Sequence, residues 1–252
     1  MNIFFEKRML LTLLTILLGL ESVIVFPNQK IVISVMLLVF FASALFWVLH
    51  IRPKEKESLP IFILPLILLL EASIVVNLIV SWPLKQVFIL LFCGLLYLVI
   101  FSLESLKKKI ESYVVIIHNI LTISVYVGTF LGYVLIYDSL LRGTIVLGVG
   151  MLLAALTTVA FFVFFLWHNE NLSKKNLLEI IIFSLIGTQF FWTISFLPLM
   201  PLQSGFVLFM IFYLFMDIFM FEISGYISLR KVSRHIIIPG AVLILFLSSI
   251  KW

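Results

Sequence analysis

Four carboxyl side chains interrupt long apolar stretches of this chain: Glu21, Glu71, Asp217 and Glu222. A charged acid near the centre of a membrane-spanning helix costs about 2.5 to 3.5 kcal/mol. Residues of this kind therefore point to chemistry or to a specific pairing. An intramembrane carboxyl can carry a proton or help coordinate a cation; alternatively it stays neutral and hydrogen-bonds a neighbouring helix. No Lys or Arg shares an apolar stretch with any of the four. Desolvation without a counter-charge favours the neutral acid. Glu71 and Asp217 fall at the middle of their stretches, 59–80 and 205–227, and are the principal candidates. Glu21 and Glu222 lie nearer the ends of theirs and are secondary.

Helical spacing sorts these groups further. Tyr213, Asp217, Ser224 and Ser228 fall on one face of a helix, and Glu222, five residues past Asp217, lies about 140° around it. Asp217 and Glu222 therefore do not form a catalytic dyad, which needs both carboxyls aimed at one point. Thr188, Gln189, Trp192 and Thr193 cluster near the middle of another stretch, and Gln189 is expected near the depth of Glu71 and Asp217. His118, Thr122, Tyr126, Thr129 and Tyr133 form a polar stripe that would be costly against lipid, so it is expected to face protein or water. The candidate intramembrane polar site is thus Glu71, Asp217, Gln189 and Tyr213, with Glu21, Glu222, His118 and Tyr126 behind it.

Enzyme signatures are scarce. The chain has no G-x-S-x-G, no H-E-x-x-H and no P-loop. The four histidines, His50, His118, His168 and His235, sit on different stretches without metal-ligand spacing, and no metal or other cofactor is expected. Cys93 is the single cysteine and lies in an apolar run, where it suits burial as a small apolar side chain.

The elements that hold these residues follow from hydropathy. Residues 59–80 include one carboxyl and no basic residue, enough to cross a bilayer core of about 30 Å as a helix. The predicted spans are 9–26, 31–49, 59–80, 87–103, 113–136, 144–167, 178–197, 205–227 and 236–250. The fold class is all-α: one polytopic membrane helix bundle over 1–252, with about nine transmembrane helices and no soluble domain. The last segment is short, with Pro239 and Gly240 near its start, and a re-entrant or interfacial segment is the alternative. The count is then eight. Thirteen basic residues, from Lys7 and Arg8 through Arg234, lie at one set of ends, and four lie at the other: Lys30, Lys85, Arg142 and Lys251. By the positive-inside rule the N-terminus is cytoplasmic and the protein belongs in the plasma (inner) membrane. The apolar start of the chain lacks a small-residue cleavage site and reads as a retained span.

Two sequence patterns bear on packing. LLGLESVIV around Glu21 and ILLLEASIVV around Glu71 match loosely, as a duplicated first hairpin would. Gly128 and Gly132 on span five, with Gly150, Ala154 and Thr158 on span six, suggest close packing of those two spans.

At 63% hydrophobic and 12% charged residues, the composition lies far from that of soluble domains, of which about a quarter is charged. The net charge of +5 is spread over short loops without a basic, aromatic-interleaved stripe, which excludes nucleic acid as a partner. The phrases LPIFILPLILLLEASIVV and TQFFWTISFLP resemble those of uncharacterised, Phe-, Ile- and Leu-heavy multi-pass membrane proteins of small-genome bacteria. That resemblance implies no activity and transfers no functional residue. The leading expectation is a permease-like protein that moves a small solute or coupling cation through a site lined by Glu71, Asp217 and Gln189. The alternative is a non-catalytic scaffold or subunit with membrane-protein partners. A lipid-modifying enzyme stands third.

Overall fold

The computed structural model describes residues 3–49, 58–107, 114–168, 177–224 and 229–249. Every regular element among them is helical: α1 (Ile3–Val25), α2 (Lys30–Leu49), α3 (Ser58–Leu78), α4 (Trp82–Lys107), α5 (Val114–Leu141), α6 (Leu147–His168), α7 (Leu177–Ile194), α8 (Pro201–Ser224) and α9 (Leu229–Ser249). Lipid offers backbone amides and carbonyls no partners, so a sequence this apolar must satisfy them within each helix. Helices α1, α2, α4, α5, α6 and α8 contain stretches long and apolar enough to cross a membrane. Shorter apolar stretches run along Phe62–Leu78, Leu178–Ile194 and Ile237–Ser249. The chain is an all-helical integral membrane protein, as expected. Its lipid-facing surface includes the exposed Leu10, Leu14 and Leu18 of α1 and Ile31, Val35 and Met36 of α2.

Helix ends follow local chemistry. Trp82-Pro83 opens α4, where proline's missing N–H removes no intrahelical bond, and the Lys85 amide donates to the Ser81 carbonyl at 3.0 Å. At the start of α8, Gln203 Oε1 reaches back to accept from the Met200 amide at 2.9 Å. At the end of α5, Gly143 takes a positive φ of 70°. The Thr144 amide then bonds the Ser139 carbonyl and the Gly143 amide bonds the Leu140 carbonyl. This is a Schellman closure, which needs the left-handed residue that glycine supplies. Asp138 and Arg142, one turn apart, pair at 2.8 Å beside it.

The described residues divide into two compact units, with the boundary within α5 between Gly128 and Thr129. The first holds α1 to α4 and the first half of α5. In it α1 packs against α2, α3 and α4, while α3 also packs against α2 and α4. This set of contacts is unchanged when the α1–α2 and α3–α4 hairpins are exchanged, as a duplicated hairpin would give. Leu37 of α2 fills the space beside Gly19 of α1. Gln86 of α4 reaches Glu21 of α1, which places the turn after α1 and the turn after α3 at the same end of this unit.

The second unit holds the rest of α5, most of α6, and α7 to α9. The small-residue track of α6 meets α7 at Gly150, Ala155 and Thr158, and Thr158 also meets Tyr133 of α5. Phe191 ring carbons lie 3.1 and 3.2 Å from where a Cβ on Gly150 would stand. Gly187 abuts Thr158, and Ser184 Oγ donates to the Ala155 carbonyl at 3.4 Å. The α5 backbone comes close to α8, where a Cβ on Gly205 would lie 2.9 Å from the Val134 amide nitrogen. Phe162, Phe183 and Phe219 join α6, α7 and α8 with ring centroids 4.8 to 5.5 Å apart. Helix α9 packs along α8, and Phe246 near its end meets Phe206 near the start of α8, centroids 4.6 Å apart. It therefore runs antiparallel along most of α8 instead of turning back. Its start at Leu229 takes Arg230, Lys231, Arg234 and His235 into the helix, so the helix is longer than the 236–250 expected from hydropathy.

Candidate functional site

Glu71 lies on α3, thirteen residues from the helix start and seven from its end. Positions on most sides of it are buried: Leu64, Leu68, Ala72, Val75 and Val76 accompany it in the interior, while Ile63, Leu70 and Ile74 form the exposed stripe. Glu71 itself is 6% exposed, and its Oε2 has no hydrogen-bond partner. The nearby polar groups of α3 are engaged along the helix, Ser73 Oγ with the Leu70 carbonyl and Asn77 Nδ2 with the Ser73 carbonyl. A carboxyl oxygen left without a donor in the interior costs about 1 to 3 kcal/mol. The arrangement suits a group that takes up and releases a small positive species.

Glu21 occupies a different setting. It is half-buried near the end of α1, flanked by exposed Leu14 and Leu18, and its Oε2 accepts from Gln86 Nε2 at 3.2 Å. That bond ties α1 to α4, the helix-pairing role weighed for such acids. His118 and Tyr126 are half-buried on the first half of α5. None of the expected stripe from His118 to Tyr133 is exposed, and Thr129 and Tyr133 are buried. The stripe avoids lipid, as its cost requires.

In the second unit, Asp217 and Tyr213 stand one turn apart on α8, both half-buried, and their side chains are hydrogen-bonded to each other. Gln189, by contrast, is exposed on α7 beside exposed Trp192. It does not join Asp217 and Tyr213 in the interior of this unit. Glu222 is on α8, but its side chain lies outside the described residues. No group of three or more His, Cys, Asp or Glu side chains suited to a metal occurs among the described residues.

Sequence reasoning missed two buried tyrosine contacts. Tyr133 Oη lies 2.8 Å from Thr158 Oγ1, and because that hydroxyl also donates to the Ala154 carbonyl, the phenol is the donor. Tyr137 donates to the Phe191 carbonyl at 3.1 Å and stacks on the Phe191 ring at 4.6 Å. Tyr133 was visible as part of the α5 stripe, but nothing local marks Tyr137. Beside Tyr133 and Thr158, lined also by Phe183, Gly187, Phe212 and Phe215, is a cavity of about 10 Å³. That is room for about one water molecule and not for a solute.

No family model matches the chain, and no curated protein or solved structure matches it.

Proposed function

We propose that the protein is permease-like, moving a small solute or a coupling cation across the plasma membrane, with Glu71 as the group that binds the moving charge. The observation that carries this reading is the Glu71 carboxyl itself, 6% exposed with Oε2 unpartnered. An acid retained to pair helices is expected to have its partner in place, as Glu21 has in Gln86. An acid that must load and unload cannot be permanently satisfied by the protein. The basic residues at one set of ends support a cytoplasmic N-terminus.

The alternative is a scaffold or subunit without transport. It draws on the contacts of Glu21 with Gln86, Tyr133 with Thr158 and Tyr137 with Phe191, all of which join helices. Stopped-flow light scattering on vesicles separates the two. Vesicles containing the protein, challenged with a panel of small neutral and cationic solutes, should swell faster than protein-free vesicles for at least one of them. Equal rates across the panel, with no ion flux, would leave the scaffold reading.

A further inference from the structure

We infer that Glu71 is a proton site and that the coupling species is a proton and not a metal cation. The inference rests on the permease reading and narrows it. A hard cation gives up its water only where several oxygens replace it, about six to eight for Ca²⁺ and a near-octahedral set for Mg²⁺. An alkali ion in a filter is likewise held by rings of oxygens. A proton needs one carboxylate oxygen.

The surroundings of Glu71 supply that minimum. The helices packed against α3 are α1, α2 and α4. On α1, the hydroxyls of Thr12, Thr15 and Ser22 bond carbonyls of their own helix, and Glu21 is held by Gln86. On α2, the polar side chains beyond Lys30 are Ser34, Ser43 and Trp47, and Ser43 bonds its own helix. On α3, Ser73 and Asn77 are engaged along the helix. Backbone carbonyls in the interior of these helices serve the i→i−4 ladder, apart from that of Ile61 on α3, which faces Pro65 and its missing N–H ten residues before Glu71. On α4 the described polar side chains past Gln86 are Cys93, Tyr97, Ser102, Glu104 and Ser105, and Ser102 Oγ, buried without a partner, stands twenty residues past the start of α4, whereas Glu71 is seven from the end of α3. One carboxyl with an unpartnered oxygen therefore stands among mainly apolar side chains. That donor set cannot replace a hydration shell, yet it can accept one proton and become a neutral acid, the form an apolar interior favours.

The ionisable groups on those three helices are few. Lys7 and Arg8 start α1, with Arg8 over the Trp47 ring at 4.7 Å. Lys30 starts α2 and Lys85 the first turn of α4, at the end of the unit nearer Glu71. Among the described side chains Glu21, Cys93, Tyr97 and Glu104 are the others, and the first half of α5 adds His118 and Tyr126. Glu71 has no hydrogen bond from any of them at Oε2.

Dicyclohexylcarbodiimide tests the inference, because it adds to protonated carboxyls in apolar surroundings and leaves a stable acylurea. The intact protein in lipid vesicles is treated at acid, neutral and alkaline pH and mapped by mass spectrometry, with Glu71→Gln as the assignment control. The reagent should modify Glu71, with labelling that falls severalfold as pH rises. Saturating Na⁺, K⁺, Mg²⁺ or Ca²⁺ should not protect it at constant pH. Protection by any of these ions would overturn the proton assignment while leaving the permease reading in place. Absence of label at every pH would also overturn it, since the acid would then be held as a paired carboxylate. Ion-insensitive, pH-dependent labelling in a protein that proves transport-inactive would uphold the proton site and remove the permease instead.

Discussion

Three acids that look alike in sequence have different settings. Glu21 is tied to Gln86, Asp217 is bonded to Tyr213 one turn away, and Glu71 is buried with Oε2 unpartnered. Removing the Glu21 tether by Gln86→Leu should cost about 0.6 kcal/mol, the average for hydrogen bonds between membrane helices, whose largest values reach about 1.7 kcal/mol. Unfolding of the purified protein in mixed micelles checks this, and an unchanged midpoint would dismiss the bond as a structural tie. Two glycines give a paired test. At Gly205 a methyl group would press on the Val134 backbone at 2.9 and 3.0 Å, whereas at Gly19 it meets the flexible end of Leu37. Gly205→Ala should therefore lose about 1 to 3 kcal/mol, the usual range for overpacking. Gly19→Ala should stay within about 0.5 kcal/mol of the parent, as is usual where nothing rigid is disturbed. Equal effects would contradict the close approach of α5 and α8. At this scale the sequence marked Glu71 through its position in an apolar stretch. It could not reveal that the carboxyl lacks a donor, because that depends on side chains distant in the chain. Nor does periodicity identify the buried face. Leu37, Phe41 and Leu45 of α2 are buried while Met36, Val39 and Phe40 are exposed, and lipid and protein interior accept the same residue types.

Helix existence was legible and helix ends were not. All nine predicted spans correspond to helices, but α4 and α5 reach 26 and 28 residues, about 39 and 42 Å, well beyond the apolar cores 87–103 and 113–136. Hydropathy stops at the first charged residue, whereas a helix continues with Lys and Arg reaching toward the interface. The same reason hid the first two turns of α9. The small residues of spans five and six predict close packing of α5 with α6; Tyr133 of α5 meets Thr158 of α6, while Phe191 of α7 covers Gly150. For α9 the antiparallel run along α8 makes a direct prediction. Phe206→Cys with Phe246→Cys, in a Cys93→Ala background, should be bridged by a short bifunctional thiol reagent, since the native rings lie 4.6 Å apart. No crosslink would return α9 to an interfacial or re-entrant position. Topology follows from the basic asymmetry: introduced cysteines at 28 or 142 should react with an impermeant reagent added outside intact cells, and those at 54–56 should not. The reverse pattern would place the N-terminus outside.

For the molecule as a whole, composition alone settled the class, because a chain with 12% charged residues and repeated apolar stretches has no soluble alternative. Its division into two units was not legible, since the boundary falls inside an unbroken helix, between Gly128 and Thr129 of α5, with no linker composition to mark it. The proposed activity rests on Glu71 and is tested most directly by proton flux. Wild type and Glu71→Gln are incorporated at matched density into vesicles that contain a pH-sensitive dye, with the membrane potential clamped, and an inward proton gradient is imposed. The amide keeps the size and most of the hydrogen-bonding capacity of the acid while it removes the exchangeable charge. Protein-dependent acidification is expected in the wild type and should fall more than about tenfold in the variant, a barrier change of at least about 1.4 kcal/mol, with unchanged unfolding behaviour. Equal flux through the two proteins, or none through the wild type, would contradict it.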